Sequence, residues 1–304
     1  MIEWIMGPFE LGFQRRALLG GLIAAVMCSV VGTWLVLRGM SFFGDAFVHG
    51  VMPGIATAVL LDGNVYVGAA VAALVMLGGI SLVHRATTLK EDTGIGLLFV
   101  GMMALGVVII STSSSYTGSL TAILFGDALG VRPEHLWVQG IIAVIVVLAA
   151  VLLYRPLLTL SFSPAKAVSL GMRPGLTHVL LLMMIGAAVI GSFQAVGTVL
   201  VFGLLVGPPA TAALLCRTVP TMMATAMVLG ALSVSAGLVL SFHLGTAASA
   251  TMALVPILLF FVVLAVRSAV SAVRGRRGRP GPGGSEPVLG PEAAERTATR
   301  RVSA

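Results

Sequence analysis

Between residues 17 and 266 the chain is a succession of apolar runs, each about long enough to cross a hydrocarbon core. No other feature constrains the fold as strongly. A helix rises about 1.5 Å per residue, so a core of roughly 30 Å takes about 20 residues. The runs fall at about 17–37, 42–61, 65–83, 94–112, 135–154, 176–193, 196–215, 221–241 and 249–266. Runs of this length read as helical spans. Hydrophobic residues make up 58% of the chain and charged residues 10%. A soluble domain carries about 25% charged residues. The expectation is an all-α polytopic membrane protein with about nine transmembrane helices, and a soluble enzyme is excluded.

Between the fourth and fifth runs lies 117–131, apolar but too short to span and broken by Gly126 and Asp127. It is predicted to be a re-entrant segment or a short broken helix within the bundle. The basic residues set the orientation. With the amino terminus outside, the inner loops hold Arg38, then Arg85 and Lys90, then Arg155, Lys166 and Arg173, then Arg217. The predicted parts are an extracytoplasmic segment 1–16, a transmembrane domain 17–266 with a cytoplasmic segment 157–175, and a disordered basic tail 267–304. The first run begins after Arg15 and Arg16 and extends like a true span, so no cleavable signal peptide is expected.

The net charge of +7 is mostly a property of the tail, where eight Arg face three Glu, a net +5. Its Arg/Pro/Gly composition suits attraction to the membrane surface. No aromatic residue interleaves the arginines, so nucleic acid is not an expected partner. Cys28 and Cys216 lie in apolar runs without CxxC or CxxH spacing and read as small packing residues.

The chemistry is concentrated in Arg38-Gly-Met-Ser-Phe-Phe-Gly-Asp45-Ala-Phe-Val-His49-Gly-Val-Met-Pro53-Gly54. A spacing of four puts Asp45 and His49 on one helix face. A carboxylate at mid-membrane costs about 2.5–3.5 kcal/mol on insertion scales. One oxygen and one nitrogen donor suit a borderline divalent ion, so this pair is a candidate metal contact on a translocation path. The bland alternative is that Asp45 anchors a helix start while His49 bonds to a neighbouring helix. Pro53 and Gly54 then read as a kink lining the path, with ordinary close packing of Gly50 and Gly54 as the alternative, and Pro208-Pro209 inside the seventh run as a second helix break. His84, His135 and His178 fall near span ends and read as interfacial; His243 lies in an outer loop. In 157–175, Pro164 at a first-turn position, Lys166 and Leu170 along the segment and Gly171 as a cap have the grammar of a short surface helix.

Several chemistries have no sequence support. There is no GxxxxGK[ST] phosphate loop, no HExxH pair, and no Ser/His/Asp or Cys/His set with supporting spacing. No cofactor is expected on this chain, and an enzymatic role has little behind it. Two rivals stay open beside a transport subunit. One is a proton-coupled secondary metal transporter working through Asp45 without an ATPase, and the other an intramembrane metalloenzyme with a third ligand.

The Arg38–Gly54 stretch resembles the second-helix signature of the bacterial zinc/manganese/iron ABC transporter permeases. Glu91-Asp92-Thr-Gly94-Ile-Gly96, Leu124-Phe-Gly126-Asp127-Ala-Leu-Gly130 and Val196-Gly197…Pro209-Ala-Thr211-Ala agree in the same order. Ser161-Phe-Ser-Pro-Ala-Lys-Ala-Val-Ser-Leu-Gly171 resembles the family's coupling segment, although Ser163 stands where an acidic residue is common. The resemblance implies the type II ABC importer architecture in a bacterial plasma membrane. It implies a homodimer around one pathway, a separate cytoplasmic ATP-binding subunit docked on Pro164, Lys166, Leu170 and Gly171, and an extracytoplasmic metal-binding protein. The Asp and His matching Asp45 and His49 would contact the passing ion: zinc first, with manganese or iron as alternatives.

Overall fold

The computed structural model describes residues 11–86, 91–112 and 132–277. The helices are α1 (Gly12–Leu37), α2 (Ser41–Gly50), α3 (Met52–Leu60), α4 (Val65–Ala86), α5 (Glu91–Ser111), α6 (Pro133–Leu152), α7 (Tyr154–Phe162), α8 (Pro164–Ser169), α9 (Pro174–Val196), α10 (Thr198–Leu215), α11 (Val219–Leu244) and α12 (Ala248–Arg277). No strand occurs among the described residues. Nine described segments are long and apolar enough to cross a membrane, with α2 and α3 acting together as the second. The nine runs read from the sequence are therefore all helical spans. Several extend past their apolar stretch: α1 begins at Gly12 and takes in Arg15 and Arg16, and α12 runs on to Arg277.

The predicted re-entrant segment 117–131 lies outside the described residues, as does the basic tail from residue 278 onward. The chain divides into two units, residues 1–263 and 264–304. Of the second, the described part is the end of α12.

The most buried helix is the first one. In α1, 72% of the most apolar window is buried, against 22% in α6 and 28% in α5 and α12. It packs against α6, α9, α10 and α11, and small residues make this possible. Gly20, Gly21, Ala24, Ala25, Ser29 and Gly32 are all buried, so neighbouring backbones approach closely. Ser29 Oγ donates to Ala226 O of α11 at 3.0 Å, and Gln139 Nε2 of α6 donates to Gly20 O at 3.0 Å. Such bonds are worth about 1 kcal/mol or less in lipid, because the separated helices also find partners. In α5 and α6 the outward faces carry Leu97, Val100, Val144 and Val151, each exposed and apolar as lipid contact requires.

The expected break at Pro208-Pro209 is not there. α10 runs unbroken from Thr198 to Leu215 with both prolines inside it and buried. Proline removes the i to i−4 bond, so Pro209 leaves the carbonyl of Leu205 without its helical partner. That carbonyl faces Gly32 of α1, where any Cβ would run into it. Neighbouring packing absorbs the defect, and the helix stays whole. Pro53 does mark an interruption, but the irregular residue is Val51, between α2 and α3. Val51 keeps φ −85° and ψ −9°, so the two pieces remain roughly in line. Pro53 occupies the first turn of α3, where its missing N–H costs least. Gly54 lies against Gly68 of α4, each in the place a Cβ on the other would need.

Candidate pathway site

On α2 the apolar positions Phe43, Ala46, Phe47 and Gly50 are buried, with the Phe43 and Phe47 rings 5.5 Å apart. This face points into the bundle: Phe47 packs where a Cβ on Gly186 of α9 would stand, and Leu205 of α10 covers Gly44. Phe42, Asp45 and His49 are left on the other side. The pair predicted from spacing is brought together: His49 Nε2 stands 3.6 Å from Asp45 Oδ1, with the side chains 21% and 30% exposed. That is too long for a hydrogen bond and within ion-pair range for a protonated imidazole. Two donors 3.6 Å apart can share a divalent ion at about 2.1 Å from each, subtending an angle of about 120°.

Among the described residues neither bland role open to the pair is filled. Met40, not Asp45, is the N-cap of α2, and no side chain caps it. His49 Nδ1 is buried and has no hydrogen-bond partner among the described residues. Nor does a third His, Cys, Asp or Glu join the pair among them. Among the described residues, then, this face presents two potential donors, a set that suits passage of an ion better than its retention.

Sequence reasoning missed two contacts, one at the pair and one elsewhere in the bundle. Phe99 of α5 contacts the His49 ring, centroids 5.9 Å apart at 61°, and Phe42 contacts Phe99 at 5.8 Å and 78°. Nothing in an apolar run distinguishes such a phenylalanine from its neighbours. The second is Arg38, whose Nη1 donates to His178 Nδ1 at 2.7 Å, tying the end of α1 to the start of α9. His178 was expected to be merely interfacial; a contact spanning 140 residues leaves no local signal.

The short helix expected within 157–175 is present as α8, following α7. Ser163 caps it, its side chain accepting from Lys166 N at 3.4 Å. At the other end Gly171 takes φ +71°, which a glycine adopts without strain, and Met172 N bonds back to Ala167 O at 3.0 Å. Lys166, Val168, Leu170 and Gly171 are exposed. Val168 in the helix and Leu170 at its C-cap, 62% and 64% exposed, form an apolar surface left uncovered by the described residues.

Residues 10–267 match the sequence profile of the ABC 3 transport family. A manganese transport system membrane protein MntC from Listeria innocua is 34% identical over 259 residues, covering 85% of this chain and 92% of that protein. A probable iron transport system membrane protein from Haemophilus influenzae is 32% identical over 265 residues, 87% of this chain and 97% of that one. The solved structure of PsaBC from Streptococcus pneumoniae in complex with Fab contains a chain superposing with a TM-score of 0.78 at 30% identity. The match covers 86% of this chain and 95% of that one. This chain belongs to the ABC 3 transport family, a multi-pass permease of the bacterial plasma membrane.

Proposed function

We propose that this chain is the membrane subunit of an ATP-driven importer of divalent metal ions, with Asp45 and His49 as transient contacts for the ion. The observation that carries the reading is the pair itself. A carboxylate and an imidazole lie 3.6 Å apart on the exposed side of a membrane helix, and among the described residues neither caps a helix nor hydrogen-bonds a neighbouring one. Ionisable groups inside membrane segments are costly and mark ion routes. Zinc led on the sequence alone. The similar proteins described above carry manganese and iron in their names, so manganese is placed ahead of zinc here. All three ions accept mixed oxygen and nitrogen donors.

The proposed assembly is a homodimer enclosing one pathway, with an extracytoplasmic metal-binding protein delivering the ion. A separate ATP-binding subunit docks on α8, contacting the segment formed by Pro164, Lys166, Leu170 and Gly171. Its exposed apolar residues support this surface. Hydrolysis on that subunit moves α8 and, through it, alternates access to the pair. This chain itself is a transport subunit and not an enzyme.

The test is elemental analysis of metal-starved cells lacking the gene, complemented with wild type, Asp45→Ala or His49→Ala at matched membrane levels. Wild type is expected to restore manganese, zinc or iron, and both variants to restore about a tenth of that or less, a loss equivalent to about 1.4 kcal/mol. Full restoration by both variants sinks the site. Restoration by wild type in cells whose partner ATPase is disabled sinks the ATP-driven reading in favour of a proton-coupled carrier.

A further inference from the structure

His49 is a candidate ion ligand whose ring lacks the usual anchor. Ligating imidazoles as a rule donate their second nitrogen to a carboxylate, a carbonyl or water, and that bond fixes the ring. His49 Nδ1 is buried without such a partner among the described residues, and Nε2 stands beyond hydrogen-bond distance from Asp45. The second side-chain torsion of histidine is intrinsically broad, so something else must orient the imidazole. The contact that remains is aromatic. Phe99 meets the His49 ring in a T-shaped arrangement, 5.9 Å between centroids, and Phe42 braces Phe99 at 5.8 Å. Edge-to-face contacts of this kind have a preferred geometry, so they turn a ring as well as pack it.

We propose that Phe99 is the positioning residue of the ion pathway, holding the His49 imidazole so that Nε2 faces Asp45 and the passing ion. The proposal rests on the reading of His49 as an ion contact. It adds a consequence. Phe99 belongs to α5 and His49 to α2, so any shift between these packed helices turns the imidazole and changes the affinity for the ion. A hydrogen bond within one helix would not respond to such a shift; a ring contact between two helices does.

The experiment is the concentration dependence of uptake of manganese and of zinc, each alone, by cells carrying the complete transporter. It compares Phe99→Leu, Phe99→Met, Phe99→Tyr and Phe99→Trp with wild type and His49→Gln at matched membrane levels. The two aliphatic variants are expected to raise the apparent KM roughly 3- to 10-fold with Vmax within about twofold, the range one aromatic contact supports. Tyrosine and tryptophan are expected to hold KM near the wild-type value. A merely packing role predicts the reverse, because Leu and Met fill the space best and any loss would appear in Vmax and protein level. Wild-type KM in the aliphatic variants, or equal defects in all four, overturns the positioning role while a His49→Gln defect leaves the pathway reading standing. Wild-type kinetics in His49→Gln overturns both.

Discussion

At the residue scale, glycines placed where helices cross decide more than any single large side chain. Gly54 and Gly68 lie so close that each carbonyl occupies the space of the other's Cβ, which brings α3 onto α4 directly beside the Pro53 turn. Gly32 admits the Leu205 carbonyl that Pro209 leaves unbonded, and a side chain there would both clash and strip that carbonyl of its cover. Overpacking at such contacts costs about 1–3 kcal/mol. Gly54→Val and Gly32→Val are therefore expected to lower the melting temperature of the purified protein. Gly78→Ala, with open space around its Cβ, is expected to leave it unchanged or raise it slightly. Equal melting temperatures for all three would show that these crossings are looser than the structure has them. The sequence exposed the glycines and prolines, but not which of them meet. Pro208-Pro209 read as a break because a proline pair breaks an isolated helix; the partner that absorbs the defect comes from α1.

At the scale of elements, α8 and the α2–α3 pair show how far local signals reach. Ser163, Pro164 and Gly171 are start and stop signals, and the helix they bracket is present with both caps made. Local chemistry was sufficient there because caps involve neighbours a few residues apart. Replacing Ser163 with Ala is expected to cost about 0.5–2 kcal/mol of local helix stability. A stronger test of the proposed docking is Leu170→Glu, which places a charge on the exposed apolar surface without touching the core. The ATP-binding subunit is expected to be lost from the purified complex while the membrane level of the permease is kept. Undiminished co-purification would remove α8 as the docking element. In α2 the spacing of four was likewise enough to put Asp45 and His49 on one face. Phe99 and the Arg38–His178 bond were out of reach, because each joins helices separated by long stretches of chain.

At the scale of the whole molecule, a membrane bundle that leaves Asp45 30% exposed cannot present that face to lipid without a cost of about 2.5–3.5 kcal/mol. In the proposed homodimer a second copy around a shared aqueous path would remove the cost and supply the ion with two further donors. In a background with Cys28 and Cys216 replaced, Phe42→Cys is expected to cross-link two chains on oxidation, whereas Val144→Cys on the lipid side is not. The opposite pattern would move the pathway to another face. The sequence by itself determined that this is a helical membrane protein of about nine spans, because the cost of burying backbone and charge in lipid is set residue by residue and summed along the chain. It also determined the i, i+4 pair and the capped short helix at 164–169, which are local in the same sense. Only the tertiary structure decided that the first helix is the most buried of those described, that two prolines sit inside an unbroken span, and that an aromatic ring from another helix meets His49. Those outcomes depend on shape complementarity between distant segments, and hydropathy contains no record of it.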